Sequence, residues 1–471
     1  MSGACCWIAS PGAVRRGMGR SKPMTILLHE LQNFVEACDP AVPLGPNDPR
    51  YVPLDEGTPV RGSNGRSCID DLARTILFAG PGVLTCQVFT GFPGTGKTTE
   101  LGRLGARLQA SKDLPTRVIH VDFQDYINMY APASVTDVLR VLAYVLDRDA
   151  TVAEGKDPDT TPGYLRRLAD FLTRTDVELK EIELKVGPEA FASSLKLEAK
   201  HNPTFRASIH KALAGRFQQF AADARSEMGQ ALARIEAATH TKRFVVICDG
   251  LEKIAPVREE EREQVEKSVE ALYVQHAELL HLPCHAIYTF PVWLRFRTAP
   301  LGTLYSREPM ILPSVKVAEP DAARTPYRAG YDKLIEILRR RLDVSRIFGA
   351  NLAATLDPIV AASGGYTRDL LRLVREVLYE ANTFPVGPKD CEAIARRLAE
   401  DYARTIRTPD LDLLVEVAKT HGLVEGDSAR VARFGRLFEQ FLILAYRNGS
   451  ESYDLHPLVR RAPMVKARLG P

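Results

Sequence analysis

Gly91-Phe92-Pro93-Gly94-Thr95-Gly96-Lys97-Thr98-Thr99 places glycines, a lysine and paired threonines in the order G-x-x-x-x-G-K-[ST]. That order suits the holding of phosphate. Gly91, Gly94 and Gly96 let the backbone curl until successive N–H groups aim at one anion, and a helix starting behind them adds partial positive charge. The Lys97 ammonium can reach β- and γ-phosphates, and the Thr98 hydroxyl can ligate Mg²⁺. Thr95 and Thr99 complete the candidate set, for which ATP and Mg²⁺ are the expected ligands. The flanks agree. Residues 85–90 form a β-type run leading in and residues 100–110 a helical pattern leading out, the context this P-loop motif needs.

A second constellation is Phe244-Val245-Val246-Ile247-Cys248-Asp249-Gly250-Leu251-Glu252. A buried parallel strand ending in aspartate delivers a carboxylate to the C-terminal edge of a sheet, where Asp249 would hold Mg²⁺ through water. Glu252 is the best candidate to orient or deprotonate the attacking water. Thr289, at the tip of the run 285–290, either senses a γ-phosphate or is a plain core-strand threonine. Behind it, Arg295, Arg297 and Arg307 supply an arginine finger across an oligomer interface or are solvated surface arginines. In Ser363-Gly364-Gly365-Tyr366-Thr367-Arg368 the glycines permit close approach, and Arg368 falls in the first turn of a helix. A cation there opposes the helix dipole, so a nucleotide phosphate is the expected reason for it. His276, His281, Cys284 and His285 lie close in sequence, but helix end, turn and strand point them apart, and no metal site is expected of them.

These residues need a parallel sheet to bring them together. Apolar β-rich runs at 117–123, 244–249, 285–290 and 310–317 join the strand before the glycines, with helical patterns between them. The alternation lapses from about 150 to 240. There residues 177–179 and 183–186 alternate apolar and charged, which predicts a small hairpin, and 207–239 predicts one long helix. This stretch reads as an insertion, either partner-binding or structural padding. Ahead of the P-loop come an amphipathic helix at 24–38, a Pro/Gly-rich loop and a helix at 68–78. This last helix folds over a nucleotide base or packs on the sheet edge. From 327 the pattern is all-helical. Helices at 411–420 and 428–439, then two strands about Asn448-Gly449, give the closing residues a winged-helix pattern. Arg460, Arg461, Lys466 and Arg468 there permit phosphate contact, although many such units bind protein or their own core instead.

Composition narrows the class. A chain of 471 residues is too long for one core, so two or three domains are expected. A net charge of +3 does not by itself argue for nucleic acid or membrane, and no apolar run approaches the ~20 residues of a membrane span. The eight scattered cysteines read as reduced thiols of a cytoplasmic protein. Residues 1–23, with an apolar patch ahead of Arg15, Arg16 and Arg20, are expected to be a disordered leader or to precede a true start at Met24.

With these residues in view, the chain resembles the STAND and origin-recognition-like branch of the AAA+ P-loop ATPases, and more narrowly bacterial ATP-binding proteins of that branch. The resemblance rests on GFPGTGKTT, VVICDGLEK, IYTFPVWL, LPSVKV, SGGYTRDLL and YDLHPLVR. It implies an α/β P-loop NTPase (AAA+-like) parallel sheet core with a helical insertion, a helical lid and a C-terminal winged helix. The implied divisions are 1–23 leader, 24–80 N-terminal helical linker, 81–320 ATPase domain with the insertion at about 150–240, 321–407 lid, and 408–471 winged helix. It implies Arg368 as the lid's sensor arginine, and ATP-driven oligomerisation or switching. One departure stands out: Gly250 follows Asp249 where most hydrolysing AAA+ proteins carry glutamate, so slow turnover is expected. The leading expectation is an ATP-dependent signalling or assembly switch. The rivals are a nucleic-acid-associated ATPase of replication, transposition or phage defence, and a non-hydrolysing nucleotide-bound scaffold.

Overall fold

The computed structural model describes residues 26–470 except 59, 63–65, 113, 162, 175–176, 298–300, 322, 424–427 and 449. The leader, the Asn448-Gly449 turn and the side chain of Arg297 therefore lie outside the described residues. A five-stranded sheet runs in the order β2-β3-β4-β1-β5, from β1 (Cys86–Gly91), β2 (Thr116–Asp122), β3 (Arg243–Asp249), β4 (His285–Thr289) and β5 (Met310–Leu312). Every pairing is parallel. Both faces are covered, which is why the strands read as near-continuous apolar runs. Alternate residues serve alternate faces. Phe89, Val118, Val245, Ile247 and Ile287 pack with helices Cys68–Leu77 and Lys97–Gln109. Val88, Ile119, Val121, Val246, Cys248 and Tyr288 pack with Val135–Ala153 and Phe217–Thr239.

Several sequence expectations need correction. Residues 177–186 form no hairpin but the helix Val177–Val186. Leu179 is buried and Ile182 half-buried against the core, a spacing of three, while Leu184 is exposed. The Glu, Lys and Leu residues of this stretch are strong helix formers. The long helix of the insertion is broken into Pro203–Ala214 and Phe217–Thr239, at Gly215, a residue that weakens helix interiors. β5 stops after three residues, because Pro313 has no N–H to give the ladder. The insertion is anchored through a buried charge: Asp137 accepts from Arg206 Nε at 3.0 Å and sits 3.6 Å from Arg140 Nη2.

The C-terminal elements are Leu411–Thr420, Ser428–Glu439 and an antiparallel hairpin of β6 (Ile443–Asn448) and β7 (Ser450–Leu455). They dock on the sheet's end. Ser314 N–H donates to Ala445 O at 2.9 Å, Arg262 meets Glu439 at 2.6 Å and Arg295 meets Glu451 at 3.0 Å. The Phe92 ring, fully buried, belongs to the core of this unit and the neighbouring helices rather than to either face of the sheet. Among the described residues no helix is long and apolar enough to cross a membrane.

Candidate functional site

The glycine loop lies between the end of β1 and the helix Lys97–Gln109. Gly94 has φ +89° and Gly96 φ +93°, left-handed values that L side chains resist. A Cβ on Gly94 would also lie 2.4 Å from Arg368 Nε, so this glycine is required by the arginine packed over it. Gly91 answers to a different neighbour, since its Cβ would meet the Leu312 carbonyl at 2.9 Å. Lys97 is buried. Its Nζ donates to Gly91 O at 3.0 Å and Phe92 O at 3.2 Å, and stands 3.3 Å from Glu252 Oε1. Thr98 Oγ1 donates to Asp249 Oδ2 at 2.6 Å, and Gly250 N–H donates to Asp249 Oδ1 at 2.8 Å.

Two carboxylates thus share one buried corner. Burial and the charge of Glu252 push the Asp249 carboxyl above its ordinary range. Burial opposes ionisation of Glu252 as well, but Lys97 and the nearby Thr289 hydroxyl outweigh it and hold that carboxyl below the ordinary range. Glu252 Oε2 is buried with no hydrogen-bond partner, and so is Arg368 Nε. Buried polar atoms are rarely left so. Both residues line a cavity of ≈ 360 Å³ together with Gly94, Thr95, Gly96, Lys97, Thr98 and Thr99. An unpaired arginine and a lysine held only by neutral carbonyls and one carboxylate suit a polyanion. The Thr98–Asp249 pair is the oxygen donor set a hard cation such as Mg²⁺ takes.

Thr289 takes the second of its two expected places, that of a core-strand threonine. It is fully buried, donates to Cys248 O at 3.2 Å and lies behind Glu252, off the cavity wall. Arg295 is paired with Glu451, and Arg307 Nη1 donates to Thr75 Oγ1 at 3.3 Å. His281 Nε2 lies 2.9 Å from Leu304 O and His285 Nδ1 2.9 Å from Thr85 Oγ1, so these side chains serve separate local contacts.

Other wall residues escaped the sequence reading. The loop 39–54, rather than the helix Cys68–Leu77, covers the cavity, through Pro40, Leu44 and Tyr51. It is tied to the P-loop helix because Leu44 N–H donates to Thr99 Oγ1 at 3.0 Å. Arg61, 2% exposed, pairs with Glu100 and donates to Thr95 O at 3.4 Å. Arg341 also lines the cavity, donating to Arg50 O of the same loop at 3.0 Å. Asp122, at the end of β2, and Gln124, in the turn that follows, line the same cavity as Glu252. Tyr366, two residues before Arg368, donates its hydroxyl to Pro93 O and stacks on Phe441 at 5.4 Å. Asp122 shares the strand-end place of Asp249, but nothing in the sequence sets the two strands side by side.

The fold and this site together define an α/β P-loop NTPase fold. No protein-family model and no curated protein matches the chain. It is similar in structure to the Orc1 protein of Aeropyrum pernix in complex with DNA, at 14% identity over 89% of this chain and 98% of that one, TM-score 0.34. The Cdc6p protein of Pyrobaculum aerophilum matches at 12% identity over 92% and 97%, TM-score 0.34. Drosophila ORC bound to DNA matches at 12% identity over 97% and 97%, TM-score 0.32. Likeness at this level carries no functional weight.

Proposed function

We propose that this chain is a cytosolic ATPase with slow, Mg²⁺-dependent turnover, acting as a nucleotide-driven signalling or assembly switch. The observation that carries the reading is the unpaired Arg368 seated on Gly94 above a lysine that only neutral carbonyls and Glu252 restrain. Lys97 leaves those carbonyls for the β- and γ-phosphates, and Arg368 supplies charge from the helix Thr367–Glu380. Mg²⁺, held by Thr98 and through water by Asp249, would neutralise charge on the phosphates. Glu252, released from Lys97, orients and deprotonates water. Gly250 after Asp249, where the family this chain resembles mostly carries glutamate, supports slow turnover.

The switch part of the reading rests on continuity. The P-loop carries Phe92 into the C-terminal core, where its ring lies 5.7 Å from Phe438 and 6.4 Å from Phe441. Loading the loop therefore acts on a unit that we take as the winged helix, beside a lid at 321–407. A bacterial STAND-like origin and ATP-dependent self-assembly belong to the same proposal. The nucleic-acid rival is less supported, since Arg460, Arg461 and Arg468 are engaged by Asp454, Glu392 and Asp412 within the chain.

The test is ATP turnover of wild type, Lys97→Ala and Glu252→Gln, with light scattering on the same samples with and without ATP·Mg²⁺. Slow hydrolysis by wild type, an enlarged ATP-bound species in Glu252→Gln and neither in Lys97→Ala is the expected result. ATP binding without hydrolysis or change of size, alone or with DNA, refutes the switch. A steep salt-dependent DNA affinity would favour the rival.

A further inference from the structure

The absence of a side chain after Asp249 has a steric cause. Gly250 has φ +91°, and a Cβ there would lie 2.6 Å from Asp122 Oδ1 and 3.4 Å from Gln124 Cγ. The volume that residue 250 would use is filled from the neighbouring strand, in which Asp122 stands in register with Asp249. The filling is ordered. Gln124 N–H donates to Asp122 Oδ1 at 3.0 Å, and Gln124 Nε2 lies 3.2 and 3.1 Å from the two carboxylate oxygens. Its amide nitrogen is thereby committed, and its side-chain carbonyl accepts from no described residue. Both residues line the cavity that Glu252 also lines, and Glu252 Oε2 has no partner. An amide carbonyl fixed by its own nitrogen and an unpartnered carboxylate oxygen, lining one cavity, can hold one water by both hydrogens.

We infer that Gln124, held by Asp122, is a positioning residue that orients the attacking water against Glu252 in place of a side chain at 250. This rests on the hydrolytic reading above. The water oxygen bonds to the γ-phosphorus while the bond from that phosphorus to the β–γ bridging oxygen breaks, and ADP leaves with the electron pair. One water hydrogen stays on the attacking oxygen, hydrogen-bonded to Gln124 Oε1. The other passes to the Glu252 carboxylate.

Gln124→Met keeps the length and the packing over Gly250 but removes the carbonyl. ATP affinity, titrated with a fluorescent ATP analogue, should stay within about threefold of wild type, while kcat falls ~10- to 100-fold and bound nucleotide recovered after quenching shifts from ADP to ATP. Gln124→Glu, which keeps an acceptor oxygen but loses the amide donor and opposes the Asp122 carboxylate, should lose turnover about as Gln124→Met does. Asp122→Asn should show the same separation of kcat from affinity with a smaller loss, an independent check should the methionine variant fold poorly. Wild-type turnover in Gln124→Met, or affinity and rate lost in parallel, overturns the inference alone. Wild-type protein that binds ATP without hydrolysing it overturns the hydrolytic reading and this one with it.

Discussion

Phe92→Ala tests whether the phosphate loop and the C-terminal unit share one core. The ring is completely buried and packs on Phe438 and Phe441, the nearer centroid at 5.7 Å. Phenylalanine-to-alanine changes at such sites cost ~3–5 kcal/mol, from lost transfer energy and the cavity left behind. For a cooperative unit of 150–250 residues each kcal/mol moves Tm by ~2–4 °C. The expected drop, roughly 6–20 °C, belongs to the unit holding Phe92, not to the sheet. Calorimetry gives the size of the drop. Hydrogen exchange gives its location, which should be β6, β7 and the helix Thr367–Glu380, with β2 and β3 unaffected. A fall under ~2 °C, or faster exchange confined to β2 and β3, would refute the shared core.

Three further outcomes are expected. Asp137→Asn should destabilise at neutral pH by ~3–5 kcal/mol, because the buried Arg140 and its neighbour Arg206 lose their counter-charge. Burial opposes ionisation of Asp137, but His210, Arg140 and Arg206 outweigh it and hold the carboxyl well below its ordinary range. Its contribution is therefore full above the unfolded-state value and lost as pH falls through the folded one, so the Tm gap between wild type and Asp137→Asn should narrow in acid; a constant gap contradicts this. Gly94→Ala should weaken ATP binding about tenfold or more by displacing Arg368 and straining a left-handed residue, as read by titration; unchanged affinity would detach Arg368 from the phosphates. Arg61→Met should leave Glu100 buried without its main partner at a cost of ~3 kcal/mol, with greater proteolysis in the loop 39–54 as the check.

What could be read from the sequence depended on whether the chemistry was contiguous. The glycine loop is one uninterrupted stretch, and the strand ending at Asp249 carries its own apolar signature, so each pointed to its place unaided. Arg368 was legible through a local conflict, a cation in the first turn of a helix. Glu252 was reachable because a single 3₁₀ turn, Leu251–Lys253, presents it. Gln124 and Asp122 were not, since their value depends on β2 lying beside β3, an adjacency set across more than a hundred residues. The loop 39–54 escaped for the same reason: nothing in its prolines says which surface it covers. Residues 177–186 misled because apolar positions spaced by two at either end hid the spacing of three between Leu179 and Ile182.

The burial of Phe92 also bears on where the chain can be cut. The C-terminal core takes Phe92, Val292 and Ile311 from the nucleotide-binding half, and Val52 and Leu54 from the segment before it. A fragment ending near residue 320 would present these side chains to water as one sticky face beside its phosphate loop. The expected behaviour of such a fragment is self-association through that face, whatever its affinity for nucleotide. By the same reasoning the closing residues are not a cassette to be exchanged between relatives. A graft would have to bring a partner for position 92, and an insertion there would be felt first by the loop that holds phosphate.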